Sequence, residues 1–197
     1  LGAALRRVML CGVRDIVPSY RAVAVYFDPI HTSLEKLISE IERLALCKPE
    51  SSFSQHPPIE VPVCYGGEYG PDLLNVAEHL GCPVSEIVDR HTKPVYLVYM
   101  VGFLPGFAYM GSTDTKIDIP RHKTPRVRVP AGSVGLAGEQ TGIYPMEMPG
   151  GWQLIGRTSL KPFDLSRTDP FLFKPGDCIR FVSVTSDRYR DGCISSS

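Results

Sequence analysis

The chain has 197 residues, 43% of them hydrophobic and 21% charged, an ordinary composition for a soluble globular protein of one large or two small domains. Its 21 basic and 21 acidic residues cancel, so no global charge draws it to nucleic acid or an anionic membrane. The longest apolar segment, Val95 to Ala108, is broken by Gly102, Pro105 and Gly106 and is too short to span a bilayer, and no secretory pattern opens the chain.

Residues 1 to 10 carry Leu1, Leu5, Val8 and Met9 roughly on one face, which reads as the end of a helix broken by Gly12. Val13 to Tyr20 and Ala22 to Phe27 read as strands, and Asp28-Pro29 ends the second. Thr32 and Glu35 have capping-box spacing, and Leu34, Leu37, Ile38, Ile41, Leu44 and Ala45 follow at helical spacing, so Thr32 to Leu46 is expected to be a helix. Helix, strand, strand, helix suits a small ferredoxin-like α+β domain over residues 1–50, with its first strand expected upstream of Leu1.

Lys48 to Pro58 is polar, rich in Pro and Ser and without periodicity, and reads as a linker. A second domain is expected over 59–185, opening on the β run Ile59 to Tyr65. A Gly-rich loop then leads into two short helices, Asp72 to Leu80 and one capped by Ser85 that runs to His91. This helix pair carries Asp72, Glu78, Glu86 and Asp89, the wrong sign for the phosphates a helix-turn-helix must meet. Pro94 to Val101 reads as a strand, and Lys116 to Arg128 is basic and, with Pro120 and Pro125, extended.

The stretch Pro130 to Thr158 alternates short apolar runs, Val134 to Ala137 and Trp152 to Ile155, with Gly and Pro. It reads as short strands joined by tight turns. Glu139, Gln140, Thr141, Tyr144, Gln153, Arg157 and Thr158 are placed on or beside those turns, where binding groups tend to sit. A hairpin turn at Lys174 to Asp177 precedes the alternating strand Cys178 to Val184, and 186–197 reads as a loose tail. Short strands over about 140 residues point to a β-barrel or sandwich. The six cysteines form no C-x-x-C pair, which favours free thiols in a reducing, cytoplasmic setting and no metal.

Long motifs carry a resemblance. They include Val61 to Leu73, Gly102 to Phe107, Pro120-Arg121, Pro125-Arg126, Val129 to Val134, Gln140 to Pro145 and Pro149 to Thr158. In this order they resemble the allophanate hydrolase subunit 1 family, which also includes the B subunit of 5-oxoprolinase and the sporulation kinase inhibitor KipI. The resemblance implies a small α+β domain followed by a cyclophilin-like β-barrel. It implies partnership with allophanate hydrolase subunit 2 or the C subunit of 5-oxoprolinase, and with an A subunit of the LamB/YcsF type. The implied reaction is the ATP-driven opening of the lactam 5-oxoproline to glutamate. Related domains lie in urea carboxylase, where biotin is the carrier, and KipI offers the alternative of histidine-kinase inhibition.

Within the matched motifs, Arg121, Arg126 and Arg157 are the candidates for holding a carboxylate or phosphoryl group, since a guanidinium offers two parallel donors. Gln140, Thr141 and Tyr144 are candidates for hydrogen bonds to a lactam or urea. Glu68, Asp72 and His91 are the matched groups able to move a proton, with Asp72 read first as a helix cap and His91 open to a helix-end cation role. Trp152 and Phe107 read as core or pocket wall. No P-loop and no G-x-S-x-G motif is present, so ATP, if used, has no recognisable loop in this chain, and a subunit inactive alone is expected.

Overall fold

The computed structural model describes residues 1–46 and 57–190; most of the expected linker, 48–56, and the end of the tail lie outside the described residues. The chain divides into two compact units, Leu1–Phe53 and Ser54–Ser197.

The first unit runs α1 (Gly2–Val8), β1 (Val13–Pro18), β2 (Val23–Phe27) and α2 (Leu34–Leu46). β1 and β2 form a two-stranded antiparallel sheet. Leu5, Ile16 and Leu44 make its small core, drawn from α1, β1 and α2. α2 is capped one residue later than the Thr32–Glu35 spacing suggests: Ser33 Oγ accepts from the Lys36 N–H at 3.3 Å. Thr32 is already used, because its N–H closes a turn onto the Asp28 carbonyl.

The second unit is built on β3 (Ile59–Tyr65), β4 (Tyr96–Val101), β5 (Ala108–Gly111), β7 (Ser133–Ala137), β8 (Gln140–Ile143), β10 (Gln153–Arg157) and β11 (Cys178–Ser183). These seven close a barrel in the order β10-β3-β11-β4-β5-β8-β7, with β3 and β11 parallel and every other pair antiparallel. The expected α+β class with a β-barrel is thus the observed one. Closure leaves no barrel strand with an unpaired edge. A separate ribbon joins β6 (Arg126–Val129) to β9 (Met148–Gly150).

Helices α3 (Leu73–Leu80) and α4 (Val84–Thr92) lie between β3 and β4. α4 starts before Ser85, with Pro83 at the cap position and its carbonyl accepting from the Glu86 and Ile87 N–H groups. Ser85 therefore falls inside the first turn and caps nothing. Gln140 and Thr141 lie in a strand and not on a turn. The connection from β7 is only Gly138-Glu139, since Ala137 already pairs with Gln140. The tail is ordered at its start, where α5 (Ser186–Arg190) sets Tyr189 4.5 Å from Tyr69.

The loop between β3 and α3 lies flat on β10. Gly66 N–H donates to the Ile155 carbonyl at 3.1 Å, and Asp72 N–H to the Leu154 carbonyl at 2.9 Å. A Cβ on Gly70 would stand 2.0 Å from the Ile155 carbonyl oxygen. No rotamer relieves a clash with backbone, so Gly70→Ala must push the loop off β10. The expected cost is about 3 kcal/mol in chemical denaturation, at the top of the range for overpacking. A loss below about 0.5 kcal/mol would mean that the loop moves freely over the strand.

Candidate functional site

Strand alternation gives the barrel two apolar faces. Ala108, Met110, Val134, Leu136 and Ile143 point into the interior with Val61, Tyr96 and Phe181. On the other side Phe107, Tyr144, Trp152 and Leu154 cluster, with Tyr109 packed against them, and Val129 and Met148 of the β6–β9 ribbon join them. The Phe107 ring stands edge-on to Trp152 at 5.5 Å and 4.7 Å from Tyr109. This aromatic cluster is the floor of the candidate site.

At its edge sits Asp72, 2% exposed. It makes no side-chain cap for α3, so the capping role expected from its position is not the one it plays. Its carboxylate accepts instead from the Leu154 backbone N–H at 2.6 Å, from Arg126 Nη2, and from His122 Nε2 at 3.3 Å. A buried carboxylate needs donors around it, and here three donors on two segments, β10 and residues 122–126, meet that need. Because the carboxylate is the acceptor, His122 Nε2 carries the hydrogen, and Nδ1 has no hydrogen-bond partner among the described residues. That arrangement, an imidazole oriented by a carboxylate, is one that can take or give a proton.

The segment carrying Arg121, His122 and Arg126 is tied down at both ends. His122 N–H donates to the Gly151 carbonyl at 2.7 Å, and Gln153 Nε2 donates to the Pro120 carbonyl at 3.0 Å. Arg126 stands opposite Gly150 in the ribbon register. Gly150 is needed there because a Cβ would meet the Tyr144 hydroxyl at 2.5 Å. Arg121 lies over the Trp152 ring, its guanidinium carbon 5.8 Å from the centroid. Burial pushes the Tyr109 and Tyr144 phenols up, and the Arg121 charge opposes this at both. Arg126 also acts on Tyr144. Both rings thus keep their hydroxyl protons.

The structure brings Arg121, Arg126 and Tyr144 together and scatters the other sequence candidates. His91 is fully buried, stacked on Phe181 at 4.4 Å inside the barrel. Its Nδ1 meets the Tyr65 hydroxyl at 2.6 Å and its Nε2 meets Thr141 Oγ1 at 2.8 Å. Thr141 donates its single hydroxyl proton to the Gly135 carbonyl at 3.1 Å, so His91 Nε2–H donates to Thr141 and Tyr65 donates to Nδ1. His91 is a neutral core residue with both nitrogens engaged, and not a helix-end cation; burial lowers its pKa from 6.5 to about 3. Gln140 begins β8, roughly 13 Å along the strand from Tyr144.

Arg157 and Glu68 belong to a different patch. The Arg157 guanidinium lies 5.8 Å from the Tyr69 ring centroid, and Arg190 of α5 reaches Glu68 at 3.5 Å. Glu68 is exposed, its side chain 71% accessible. His122 and Tyr109 were not singled out from the sequence. The adjacency of His122 to the matched Pro120-Arg121 pair is the one signal that points to it. Among the described residues, no group of three His, Cys, Asp or Glu side chains is placed to hold a metal ion.

A family model described as carboxyltransferase domain, subdomain C and D, matches residues 1–173. The B subunit of 5-oxoprolinase from Escherichia coli O157:H7 is 49% identical over 183 residues, covering 91% of this chain and 82% of the relative. The corresponding 5-oxoprolinase B subunit of Bacillus subtilis (strain 168) is 39% identical over 189 residues, covering 90% and 78%. The crystal structure of a conserved uncharacterized protein from Pyrococcus horikoshii superposes with a TM-score of 0.66 at 41% identity, covering 95% of this chain and 86% of that one.

Replacing Asp72 by Ala strands the Leu154 N–H and removes the counter-charge of Arg126. The expected loss is about 3 kcal/mol in urea unfolding. Arg126→Met, which leaves the carboxylate buried with weaker partners, should cost a similar amount. Wild-type stability in either variant would mean that water already solvates the pair.

His91 predicts an acid-sensitive fold. Between pH 6.5 and about 3 the unfolded chain binds a proton that the folded imidazole refuses. Its contribution is therefore present above pH 6.5 and drains away as the pH falls through that window. The expected loss is roughly 2 kcal/mol between pH 6.5 and 5. His91→Gln should flatten this part of the stability profile, as measured by denaturation midpoints across pH. An unchanged slope would mean that other groups carry the acid sensitivity.

Proposed function

This chain belongs to the carboxyltransferase subdomain C and D family, and on that premise we propose that it is the B-type subunit of a 5-oxoprolinase complex. The complex converts 5-oxoproline, ATP and two waters to glutamate, ADP and phosphate. One water opens the lactam and the other is accounted for in ATP hydrolysis. The observation that carries this reading is the 49% identity to a 5-oxoprolinase B subunit across 91% of this chain.

The site chemistry supports it. The substrate is a small ring with a carboxylate, and ATP brings phosphoryl groups. The clustered groups over Trp152 are guanidiniums, phenols and an oriented imidazole, which suit anions and proton transfer. The chain has no P-loop, so the nucleotide is assigned to the assembled complex and not to a recognisable loop here. The partners are a C-type subunit related to allophanate hydrolase subunit 2 and an A-type subunit of the LamB/YcsF kind. In this reading the chain binds and orients, and the full reaction needs the partners.

The test is reconstitution. The purified chain, each partner and the three together are incubated with 5-oxoproline and ATP, and glutamate and ADP are measured. Turnover is expected only from the assembly, with one ADP formed per glutamate. Robust turnover by the single chain, or none by an intact assembly, would overturn the proposal.

A further inference from the structure

We propose that the face formed by Arg121, Arg126, Tyr109 and Tyr144 over Trp152 binds a compact oxyanion, a carboxylate or a phosphoryl group, directly on this chain. The inference rests on the proposed 5-oxoprolinase role only in choosing 5-oxoproline as a probe.

Positive charge here exceeds what the protein itself neutralises. Arg121, Lys123 and Arg126 fall within six residues, beside His122. The acid they meet is Asp72, and its oxygens are already taken by Arg126, the Leu154 N–H and His122. Arg121 has no hydrogen-bonded or ion-paired partner among the described residues, and its neighbour is the Trp152 ring. Arg126 is only partly used. Nη2 is held by Asp72, while Nη1 is buried with no partner among the described residues. A buried donor left without an acceptor is costly, and the Arg121 guanidinium, exposed at its side, has its donors open to a ligand. An oxyanion satisfies both.

The groups are also held in advance. Asp72 orients Arg126, the ribbon register sets it against Gly150 and the Tyr144 hydroxyl beneath, and one backbone hydrogen bond and one from the Gln153 side chain fix the Arg121 segment. Pre-positioned donors lose little entropy on binding. The charge of the two guanidiniums selects an anion over a neutral amide, and the Tyr109 and Tyr144 rings pack with Trp152 beneath them.

Trp152 is the sole tryptophan of the chain, so its emission reports this face alone. The full chain is titrated with 5-oxoproline, with 2-pyrrolidinone (the same lactam without the carboxylate) and with inorganic phosphate. A saturable change is expected with 5-oxoproline, with phosphate, or with both, and none with 2-pyrrolidinone. Response to 5-oxoproline alone names the carboxylate as the ligand group, and response to phosphate alone names a phosphoryl group. Arg121→Met should weaken binding at least about tenfold while its melting temperature stays near wild type, because one charge-assisted contact is removed and no ion pair is broken. Arg128→Met, on the same ribbon but paired with exposed Glu147, should bind as wild type does. No response to either anion, an equal response to 2-pyrrolidinone, or unchanged binding in Arg121→Met would overturn the site. If the assembled complex turns over 5-oxoproline equally well with Arg121→Met, the site fails and the 5-oxoprolinase role stands. If the chain binds these anions through Arg121 but no assembly turns over 5-oxoproline, the 5-oxoprolinase role fails and the site stands.

Discussion

The carboxylate of Asp72 is the point on which this domain depends. It sits at the junction of three segments far apart in sequence: the start of α3, the backbone of β10 at Leu154, and the extended segment that leads into β6. A carboxylate 2% exposed is expensive to bury, and the structure offsets that cost by bringing donors to it from the other two segments. The same bonds hold Arg126 and His122 at the edge of the aromatic cluster. Stability and site geometry therefore share one group, and the loop that delivers Asp72 must lie flat on β10, where Gly70 leaves no room for a side chain.

The barrel keeps its two polar systems apart. Inside, Tyr65, His91, Thr141 and the Gly135 carbonyl form a chain of hydrogen bonds with each donor matched to an acceptor, beside Phe181. That network is satisfied and closed, and it ties α4 to β3 and β8. Outside, Arg121 lies over Trp152, and Arg126 on the Asp72 carboxylate keeps a buried donor without a partner among the described residues. A satisfied buried network specifies a fold, and an unsatisfied, partly exposed one offers itself to a ligand. Thr141 and Tyr144 show how little separates the two systems. They are three residues apart on one strand and its exit, and alternation sends them to opposite faces.

Much of the architecture was legible because it is local. Gly and Pro punctuation between short apolar runs announced a barrel or a sandwich, the family resemblance implied the barrel, and the spacing of Leu34, Leu37, Ile41 and Leu44 announced α2. Errors arose where a residue's use is decided by a distant partner. Asp72 stands at a helix start, so it reads as a cap, but its partners lie 50 to 82 positions away. His91 ends a helix, so it reads as a cation, but Phe181 and Thr141 close over it. Arg121, Arg126 and Arg157 look equivalent in the sequence, and only the closed barrel reveals that Arg157 faces Tyr69 while the other two meet near Trp152. His122 carried no local pattern of its own, and its significance comes entirely from the buried carboxylate it reaches.

These placements narrow which group on this chain can handle a proton. His91 is sealed in the core with both nitrogens engaged. Glu68 stands in water beside Arg190, away from the aromatic cluster. Asp72 has its oxygens occupied by donors, so protonating it would break the junction it holds. His122 is left: partly exposed, held through Nε2 by a fixed acceptor, and within the segment that carries Arg121 and Arg126. An imidazole so held needs a reacting group delivered to Nδ1, and the neighbouring guanidiniums are placed to hold an anionic one. The site thus combines guanidiniums with an imidazole that a buried carboxylate holds in place, in a sequence without a P-loop. That combination follows from how one buried carboxylate is shared between an arginine and a histidine.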